Sequence, residues 1–322
     1  MIPKKDFRIV FMGTPEFAVE SLRRLLEHQY PIAAVVTNPD KPAGRGRKVR
    51  ESAVKTFARA HKLPVLQPSH LKDEGFAREL ENLNPSLQVV VAFKILPPRI
   101  FKIPSHGTFN LHASLLPDYR GAAPINHVLI NGEDKTGVTT FFLDERVDTG
   151  SIILQKETPI SEQDDAGTLH DRLMMLGGDL VVETVEKIRT ANYTSLPQNQ
   201  LIPDDTSPKR APKIFKDDCR INWSKTSREI YNLIRGLSPY PAAWTSLINT
   251  ESMTIKVYRA SHQLATHSHS PGTLHTDDKS YLKVATQDGY IFLEKIQQAG
   301  KKKMPVEEFL KGFRNIRAYR CS

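Results

Sequence analysis

Short β-rich apolar runs alternate with helical patterns through the first half of the chain. The runs Phe7 to Met12, Ala33 to Val36 and Leu87 to Phe93 have the length and residue types of buried strands. Between them, apolar residues recur at helical spacing, as they do from Ala18 to Leu26. Strands and helices that alternate in this order predict an α/β domain built on a doubly wound parallel sheet.

The turn after the first strand restricts what such a Rossmann-like domain binds. It reads Gly13-Thr14-Pro15 and lacks Gly-x-Gly-x-x-Gly, the sequence that lets a backbone approach a dinucleotide phosphate. This difference argues against an NAD-dependent enzyme. A helix predicted over Thr168 to Ile188 closes the first domain, which we place at residues 1–190.

A polar segment with several prolines follows this domain and predicts a linker over residues 191–208. The remaining residues, 209–322, begin with a helical pattern and continue as short strands separated by turn residues. This combination is compatible with a smaller OB-like β-barrel domain. The predicted elements are the helix Thr226 to Leu237 and the strands Met253 to Tyr258, Tyr281 to Ala285 and Tyr290 to Ile296.

Positive charge is concentrated in the second domain. Residues 209–322 hold 20 Lys and Arg against 10 Asp and Glu, whereas the rest of the chain holds 25 against 26. A domain with a net charge of +10 predicts a polyanionic partner, because cations that neutralise phosphates release condensed counterions. Lys301, Lys302 and Lys303 form a dense cationic run within it, although such runs are also common in solvated loops.

A second group of cations lies in the first domain, between a predicted strand ending at Thr37 and a predicted helix beginning at Ser52. Pro and Gly residues prevent a regular helix here, and α/β domains form their sites in loops at the carboxyl ends of strands. A polyanion contact and a mobile loop with solvated cations are both compatible with this composition. The candidate contact residues are Lys41, Arg45, Arg47, Lys48 and Arg50.

Composition gives outer bounds on location and cofactors. Of the 322 residues, 39% are hydrophobic and 25% are charged, and no apolar run is long enough to span a bilayer. Cys219 and Cys321 cannot form a disulfide framework, and no Cys/His spacing indicates a zinc site. We expect a cytoplasmic protein that uses no metal, and we expect it to be a monomer.

One short run, Phe109 to Gly121, carries side chains suited to acyl transfer. If the run begins at the end of a strand, Asn110 and His112 project toward the same face. An amide donates to an oxyanion, and an imidazole transfers protons near neutral pH. Asp148, in a later turn-like segment, can be brought beside His112 to fix its tautomer or receive its proton. Taken singly, the three also fit structural positions: a turn former, a core histidine and a turn residue.

Together these motifs resemble the signature of folate-dependent formyltransferases. The matching residues are Asn110 and His112, the segment Ser114 to Gly121, and Asp148-Thr149-Gly150. The resemblance implies that Asn110, His112 and Asp148 form a catalytic triplet, and that Ser114 to Gly121 shapes a wall of the active site. It also implies 10-formyltetrahydrofolate as co-substrate. The candidate folate-binding residues are Phe93, Ile95, Leu96, Pro97, Ser114, Leu115, Leu116 and Pro117.

Three more segments are similar to the branch of this family that acts on methionyl-tRNA. They are Gly13 to Ala18, Asn38 to Arg47 and Arg235 to Pro241, so the resemblance covers both halves of the chain. It implies methionyl-initiator tRNA as the partner and an OB-like second domain. It further implies that the cationic loop contacts the acceptor end of the tRNA, with Arg45 and Arg47 as the leading candidates.

The chain departs from the family pattern between Ala92 and Pro97. Where the commoner form has Tyr-Gly, Phe93 is followed directly by Lys94, so a small residue beside the folate pocket is missing. Because Leu96 and Pro97 remain, we expect backbone contacts to the pterin there, in a reshaped pocket.

Three other functions stay open from the sequence. A formyltransferase for a nucleotide-linked amino sugar has the same triplet, but has less use for a separate domain of charge +10. A glycinamide ribonucleotide formyltransferase needs little beyond the first domain. An RNA-binding protein on a catalytically inactive scaffold also fits the charge. Formyl transfer to charged initiator tRNA separates these possibilities.

Overall fold

The computed structural model describes residues 2–43, 48–313 and 315–322. The chain divides into two compact units. The second unit includes two segments from within the range that we placed in the first domain, and the predicted domain bounds stay a prediction. Unit 1 comprises Met1–Gly121, Thr136–Thr158 and His170–Arg210, and unit 2 comprises Ala122–Lys135, Pro159–Leu169 and Ala211–Ser322.

Helices and strands alternate through the front of the chain, and strands dominate its end. The helices are α1 (Glu16–Glu27), α2 (Ala53–Ala60), α3 (Glu74–Asn82), α4 (Pro98–Phe101), α5 (Pro124–Ile130), α6 (Ala166–Arg189), α7 (Ser227–Leu237) and α8 (Val306–Gly312). Short 3-10 helices lie at Lys4–Asp6, Gln198–Leu201, Asp217–Cys219 and Ile316–Ala318. Within the described residues, none of the helices is both long and apolar enough to cross a lipid bilayer.

The described strands form two seven-stranded sheets and two two-stranded sheets. They are β1 (Ile9–Gly13), β2 (Ile32–Val36), β3 (Lys41–Ala43), β4 (Lys48–Arg50), β5 (Val65–Leu66), β6 (Leu87–Val91), β7 (Thr108–His112), β8 (Arg120–Gly121), β9 (Lys135–Phe142), β10 (Ile152–Pro159), β11 (Arg210–Ala211), β12 (Ala243–Ile248), β13 (Ser252–Leu264), β14 (Leu274–Thr276), β15 (Leu282–Ala285), β16 (Gly289–Gln298), β17 (Met304–Pro305) and β18 (Arg320–Cys321). The third predicted strand ends at Val91 rather than Phe93, because Ala92 turns the backbone to φ +47°.

The sheet of unit 1 has the strand order β10-β9-β7-β6-β1-β2-β5. The strands from β7 to β5 are parallel to their neighbours, whereas β9 runs antiparallel to β7. β1 and β6 are buried along their whole length, as expected for strands of a parallel sheet covered on both faces. The α/β prediction is confirmed. The carboxyl ends of β2, β1, β6 and β7 meet at one edge, where sites form in such sheets.

Helix starts in unit 1 follow capping signals in the sequence. Ser52 Oγ accepts a hydrogen bond from Lys55 N at 3.0 Å and begins α2. Asp73 Oδ1 accepts from Phe76 N at 2.9 Å and begins α3. Within the cationic segment before α2, where Pro and Gly were expected to prevent a regular helix, β3 and β4 pair as antiparallel strands, here called the hairpin of β3 and β4.

The sheet of unit 2 is antiparallel along β14-β15-β16-β13-β12-β18, with β17 paired to β16. Its two ends approach each other, because Thr273 forms a bridge with Arg320 and Cys321 N donates to Gly272 O at 2.9 Å. The sheet is therefore a nearly closed barrel, and the OB-like prediction is confirmed. α7 and α8 contribute Ile234 and Phe309 to its apolar core.

Part of the predicted linker is packed into unit 1. Leu196 and Ile152 exchange two backbone hydrogen bonds of 2.8 Å, which adds a short bridge beside β10. Gln198 follows and is only 2% exposed. A segment that is polar and rich in proline is here part of the fold.

Candidate active site

β7 carries Asn110 and His112 at the carboxyl-terminal edge of the sheet. Asn110 is paired with Val90 on one side and Phe141 on the other, and His112 is paired with Thr139. Two residues apart on one strand, both side chains project to the same face, as predicted. His112 is 6% exposed, so its ring lies in a largely desolvated setting.

The His112 ring is oriented by a backbone carbonyl. Its Nε2 lies 2.8 Å from Tyr119 O. A carbonyl oxygen only accepts hydrogen bonds, so Nε2 carries the hydrogen and Nδ1 of the neutral ring holds the lone pair. The tautomer is thus fixed by Tyr119 and not by Asp148, because the chain after β7 folds back over the ring. The role of Asp148 in proton transfer stays a prediction.

Asp148 is attached to the same short segment from another direction. Its Oδ2 accepts a hydrogen bond from Gly121 N at 3.0 Å. Because Tyr119 and Gly121 are two residues apart, the segment between them ties His112 and Asp148 together. Asp148 has φ +57°, an uncommon backbone conformation for a non-glycine residue, so the surrounding contacts must hold it there.

Asn110 has, among the described residues, a buried acceptor atom without a partner at this site. Its Oδ1 is buried and has no hydrogen-bond partner among the described residues. Buried polar atoms are nearly always hydrogen-bonded in native proteins, so an atom of this kind calls for a bound group or an ordered water. This is the contact that a substrate or co-substrate at the end of β7 would supply.

The wall segment Ser114 to Gly121 is held by polar side chains from β9 and β10. Thr139 Oγ1 donates to Ser114 O at 2.6 Å and accepts from Leu116 N at 3.1 Å. Gln155 Nε2 donates to Leu116 O at 2.8 Å. Sequence reasoning missed Thr139 of β9 and Gln155 of β10. A single polar residue in a strand does not reveal which distant backbone group it will bind.

The candidate folate-binding residues fall into two groups. Leu96 and Leu116 are buried in apolar clusters, and Ser114 is buried with its Oγ donating to Asp118 O at 2.7 Å. The side chains of these three residues are therefore used inside the protein, and their contacts with folate stay a prediction. Ile95 is 76% exposed. Phe93, Pro97, Leu115 and Pro117 are half-buried, so their side chains remain accessible.

An open cavity of about 440 Å³ in unit 1 lies away from the triplet. It runs along the segment from Val65 to His70 and reaches Asp73 and Phe76 of the α3 start. Asn110, His112 and Asp148 do not line it. The chemistry of the side chains, and not the volume of this cavity, therefore identifies the candidate site.

The hairpin of β3 and β4 is anchored at its base. Asp40 accepts from Lys55 Nζ at 2.5 Å and from Gln67 Nε2 at 2.9 Å. These bonds, with that of Lys55 first, lower the pKa of Asp40 below its usual value. Lys41 and Arg50, at the open ends of the hairpin, are exposed.

The other candidate tRNA contacts differ in how far they are described. Arg45 and Arg47 lie outside the described residues, and of Lys48 only the backbone is described. Lys301, Lys302 and Lys303 are exposed in unit 2. Lys303 Nζ lies 3.8 Å from the centre of the Tyr258 ring, a distance typical of a cation–π contact. All of these contacts stay predictions.

No three His, Cys, Asp or Glu side chains are grouped as metal ligands in the part of the chain that the structure describes. The expectation of a reaction without a metal is left as a prediction.

Two solved structures with bound folate compounds share this fold. The N-formyltransferase from Helicobacter canadensis, in complex with folinic acid and dTDP-3-aminofucose, aligns with a TM-score of 0.65 at 22% identity and covers 92% of this chain and 99% of its own. HypX from Aquifex aeolicus, in complex with tetrahydrofolic acid, aligns with a TM-score of 0.62 at 17% identity and covers 95% of this chain and 48% of its own. At these identities the likeness concerns the fold alone.

Sequence comparison identifies the family. The profile described as formyl transferase matches residues 7–185, and the profile of the formyl transferase C-terminal domain matches residues 213–314. The methionyl-tRNA formyltransferase of Parabacteroides distasonis is 51% identical over 319 residues, 98% of each chain. That of Flavobacterium johnsoniae is 50% identical over 309 residues, 96% of each chain. The resemblance drawn from the motifs is confirmed, and the chain belongs to the formyl transferase family as a member of its methionyl-tRNA formyltransferases.

Proposed function

We propose that this chain transfers the formyl group of 10-formyltetrahydrofolate to the α-amino group of methionine on initiator tRNA. One observation carries the proposal: His112 and Asp148 are both hydrogen-bonded to the backbone segment Tyr119 to Gly121, and Asn110 lies two residues before His112 on the same strand. All three lie in a chain about half identical to methionyl-tRNA formyltransferases over nearly its full length.

The incoming amine needs little help to become a nucleophile. An α-amino group has a reference pKa of about 7.7 to 8.0, and an ester in place of the carboxylate lowers it further. Much of the amine is therefore already neutral near pH 7. The demand on the protein is to stabilise the negative oxygen and remove the proton from the positive nitrogen that form as the new C–N bond is made.

His112 is set up to take that proton. Its Nε2 hydrogen is used by Tyr119 O, so the lone pair on Nδ1 is the accepting position of the neutral ring. Once protonated, the ring becomes a donor at Nδ1, available to the formyl oxygen or to the departing folate nitrogen. General acid–base assistance of this kind is typically worth about 10² to 10⁴ in rate.

Asn110 stabilises the developing oxyanion. It lies on the same face of β7 as His112, and its Nδ2 amide group is the donor for the oxyanion. The buried atom without a partner among the described residues is Oδ1, an acceptor suited to an N–H of the bound substrate such as the incoming amine. A preorganised donor to an oxyanion is typically worth about 10² to 10³ in rate.

Asp148 balances the imidazolium and helps to pass its proton on. The carboxylate is held by Gly121 N, two residues from the carbonyl that orients the ring. A negative charge near His112 stabilises the protonated ring. Delivery of the proton to the folate nitrogen, directly or through a water, completes the transfer.

The accessible side chains fit a folate co-substrate, which supplies the formyl group. Ile95 presents an exposed apolar surface after β6, and Phe93 and Pro97 are accessible beside it. β6 is the neighbour of β7, so these residues follow the strand next to Asn110 and His112. The missing small residue after Phe93 stays the feature most expected to change folate affinity.

The test is single-turnover formyl transfer to initiator tRNA charged with methionine. Replacement of His112 by Ala should lower the rate by about 10² to 10⁴ and leave tRNA affinity nearly unchanged. His61→Ala is the matched control, because His61 is exposed after α2, away from β7.

Three outcomes would count against the proposal. No formyl transfer by the native chain would remove the activity. Transfer to a nucleotide-linked amino sugar instead of the charged tRNA would reassign the acceptor. A loss of tRNA affinity in His112→Ala as large as the loss of rate would contradict the catalytic role of His112.

A further inference from the structure

Gln198 is buried beside the candidate active site, although its neighbours in the sequence are exposed. It begins a 3-10 helix in the segment predicted as a linker, yet only 2% of its surface is exposed. The residues around it, Pro197 and Asn199, are exposed. A single buried amide in an otherwise exposed polar stretch indicates a specific set of hydrogen bonds.

Those hydrogen bonds join the two catalytic motifs. Gln198 Nε2 donates to Asp148 O at 3.0 Å and to Gly150 O at 2.9 Å. Gln198 Oε1 accepts from Arg120 Nε at 3.0 Å and from Nη2 of the same guanidinium at 2.6 Å. Both ends of the amide are therefore used, one end by each motif.

The contacts form a closed ring with the catalytic carboxylate. Asp148 Oδ2 accepts from Gly121 N, the residue after Arg120, while the carbonyl of Asp148 is held by Gln198. Asp148 thus has both its backbone and its side chain fixed. This explains how a non-glycine residue is kept at φ +57°, a conformation that persists only when its surroundings determine it.

We propose that Gln198 is a positioning residue for the formyl transfer, holding Asp148 and Arg120 in the geometry that His112 requires. The inference rests on the proposed function and assigns a role within the same site. Gln198 itself touches no reacting atom in the proposed mechanism, because its amide oxygen is bonded to Arg120 and its amide nitrogen to Asp148. Its effect passes through Asp148 and through the segment Tyr119 to Gly121.

The decisive variant is Gln198→Glu. A glutamate keeps the length of the side chain and the acceptor for Arg120, but it cannot donate to the carbonyls of Asp148 and Gly150. Misplacement of a catalytic group by about 1 Å can cost about 10² in rate, and we expect a loss of that order in single turnover with unchanged tRNA affinity. The added negative charge should also move the acidic limb of the pH–rate profile to higher pH, because it favours the protonated forms of the amine and the imidazole, both of which must be neutral to react.

The matched control is Gln200→Glu. Gln200 lies in the same 3-10 helix but is exposed, so the same change in charge is made two residues away from the buried contacts. Its rate and pH profile should equal those of the native chain. Titration of the folded sites with a tight-binding folate analogue normalises each rate to the active fraction. If Gln198→Glu folds poorly, Gln198→Met, similar in length and uncharged, should show the loss of rate without the shift in pH profile.

A double-mutant cycle with Asp148→Asn separates positioning from a general structural role. If Gln198 acts through Asp148, adding Gln198→Glu to Asp148→Asn should slow the reaction little further. The inference would be overturned if the rate losses of Gln198→Glu and Asp148→Asn multiplied in the double variant. It would also be overturned if Gln198→Glu, with its rate normalised to the active fraction, kept the native rate and pH profile. If the native chain itself transfers no formyl group, the proposed function fails and not this inference alone.

Discussion

Gly150 shows how one residue sets the position of the catalytic carboxylate. A Cβ atom at this position would lie 1.7 Å from Phe142 O, far inside van der Waals contact. The close approach accompanies the hydrogen bond of 3.0 Å from Phe142 N to Ser151 O, which closes the turn between β9 and β10. Asp148 lies within that turn, so the absence of a side chain at Gly150 is part of how the carboxylate reaches Gly121.

Gly150→Ala should therefore destabilise unit 1 and slow formyl transfer. Overpacking of this kind typically costs about 1 to 3 kcal/mol, and the backbone shift that relieves it displaces Asp148. The midpoint of thermal unfolding and the single-turnover rate measure the two effects. Gly312→Ala is the control, because no atom lies within 4 Å of a Cβ built there. Equal midpoints for the two variants would contradict the steric argument.

At the scale of elements, α7 is the helix that the sequence specifies most completely. Thr226 Oγ1 accepts from Glu229 N at 3.2 Å, and Glu229 Oε2 accepts from Thr226 N at 3.0 Å, which is a capping box. The Thr226 hydroxyl, which donates to Glu229 Oε2 at 2.8 Å, lowers the pKa of Glu229 to about 2, together with Lys225 and Thr226 N. Ile230, Ile234 and the rest of the buried face then pack into the core of the barrel.

Thr226→Ala should lower the free energy of unfolding of unit 2 by about 1 kcal/mol, because loss of the Thr226 hydroxyl leaves the Glu229 amide of the first turn without its acceptor. The loss is measured as a lower midpoint in thermal or urea unfolding. Ser224→Ala is the control, since Ser224 is exposed just before the cap. A drop of the same size in the control would show that the capping box contributes nothing specific.

The first strands of the barrel carry a pH-dependent element. His275 of β14 is paired with Lys283 of β15, and its Nε2 is buried with no hydrogen-bond partner among the described residues. Burial lowers the pKa of His275, and the positive charges of His269, Lys283 and His267 act in the same direction. The neutral ring is therefore the form that the folded state favours.

Stability of unit 2 should fall as the pH is lowered through about 6.5, the ordinary pKa of histidine. Below that pH the unfolded chain binds a proton that folded His275 resists, so the free energy of unfolding decreases until the lower folded pKa is reached. The midpoint of thermal unfolding between neutral and mildly acidic pH measures this. The midpoint of His275→Gln should fall less steeply with decreasing pH than that of the native chain. Replacement of exposed His28 by Gln should leave the native slope unchanged. Parallel curves for native protein and His275→Gln would exclude the effect.

At the scale of the whole molecule, positive charge is concentrated in the carboxyl-terminal third of the chain. Residues 209–322 carry the net charge of +10, whereas the proposed triplet of Asn110, His112 and Asp148 lies before them in the chain. Electrostatic attraction to phosphates is long-ranged and does not depend on base sequence, so we expect residues 209–322 to supply affinity and the proposed triplet to supply chemistry.

Replacement of Lys301, Lys302 and Lys303 by Gln should weaken tRNA binding and flatten its salt dependence. Each lost phosphate contact reduces the slope of log K against log salt by about 1. Filter binding or anisotropy over a salt series measures the slope, and the formyl transfer rate at saturating tRNA should be unchanged. The charge-matched control replaces three exposed lysines of unit 1, Lys5, Lys62 and Lys72. An equal change of slope in both triple variants would show that net charge, and not this patch, governs binding.

The sequence by itself determined those features that a local pattern encodes. The alternation of apolar runs fixed the parallel sheet, Ser52 and Thr226 marked helix starts, and the two-residue period of a strand put Asn110 and His112 on one face. Tertiary structure alone decided that Tyr119 O orients His112 and that Gln198 is buried between the catalytic motifs. These contacts depend on how the chain folds back on itself and join residues as many as 78 positions apart, as Arg120 and Gln198 are. No periodicity or propensity of neighbouring residues records such a contact, because its energy is gained only when the surrounding fold has brought both partners together and excluded water.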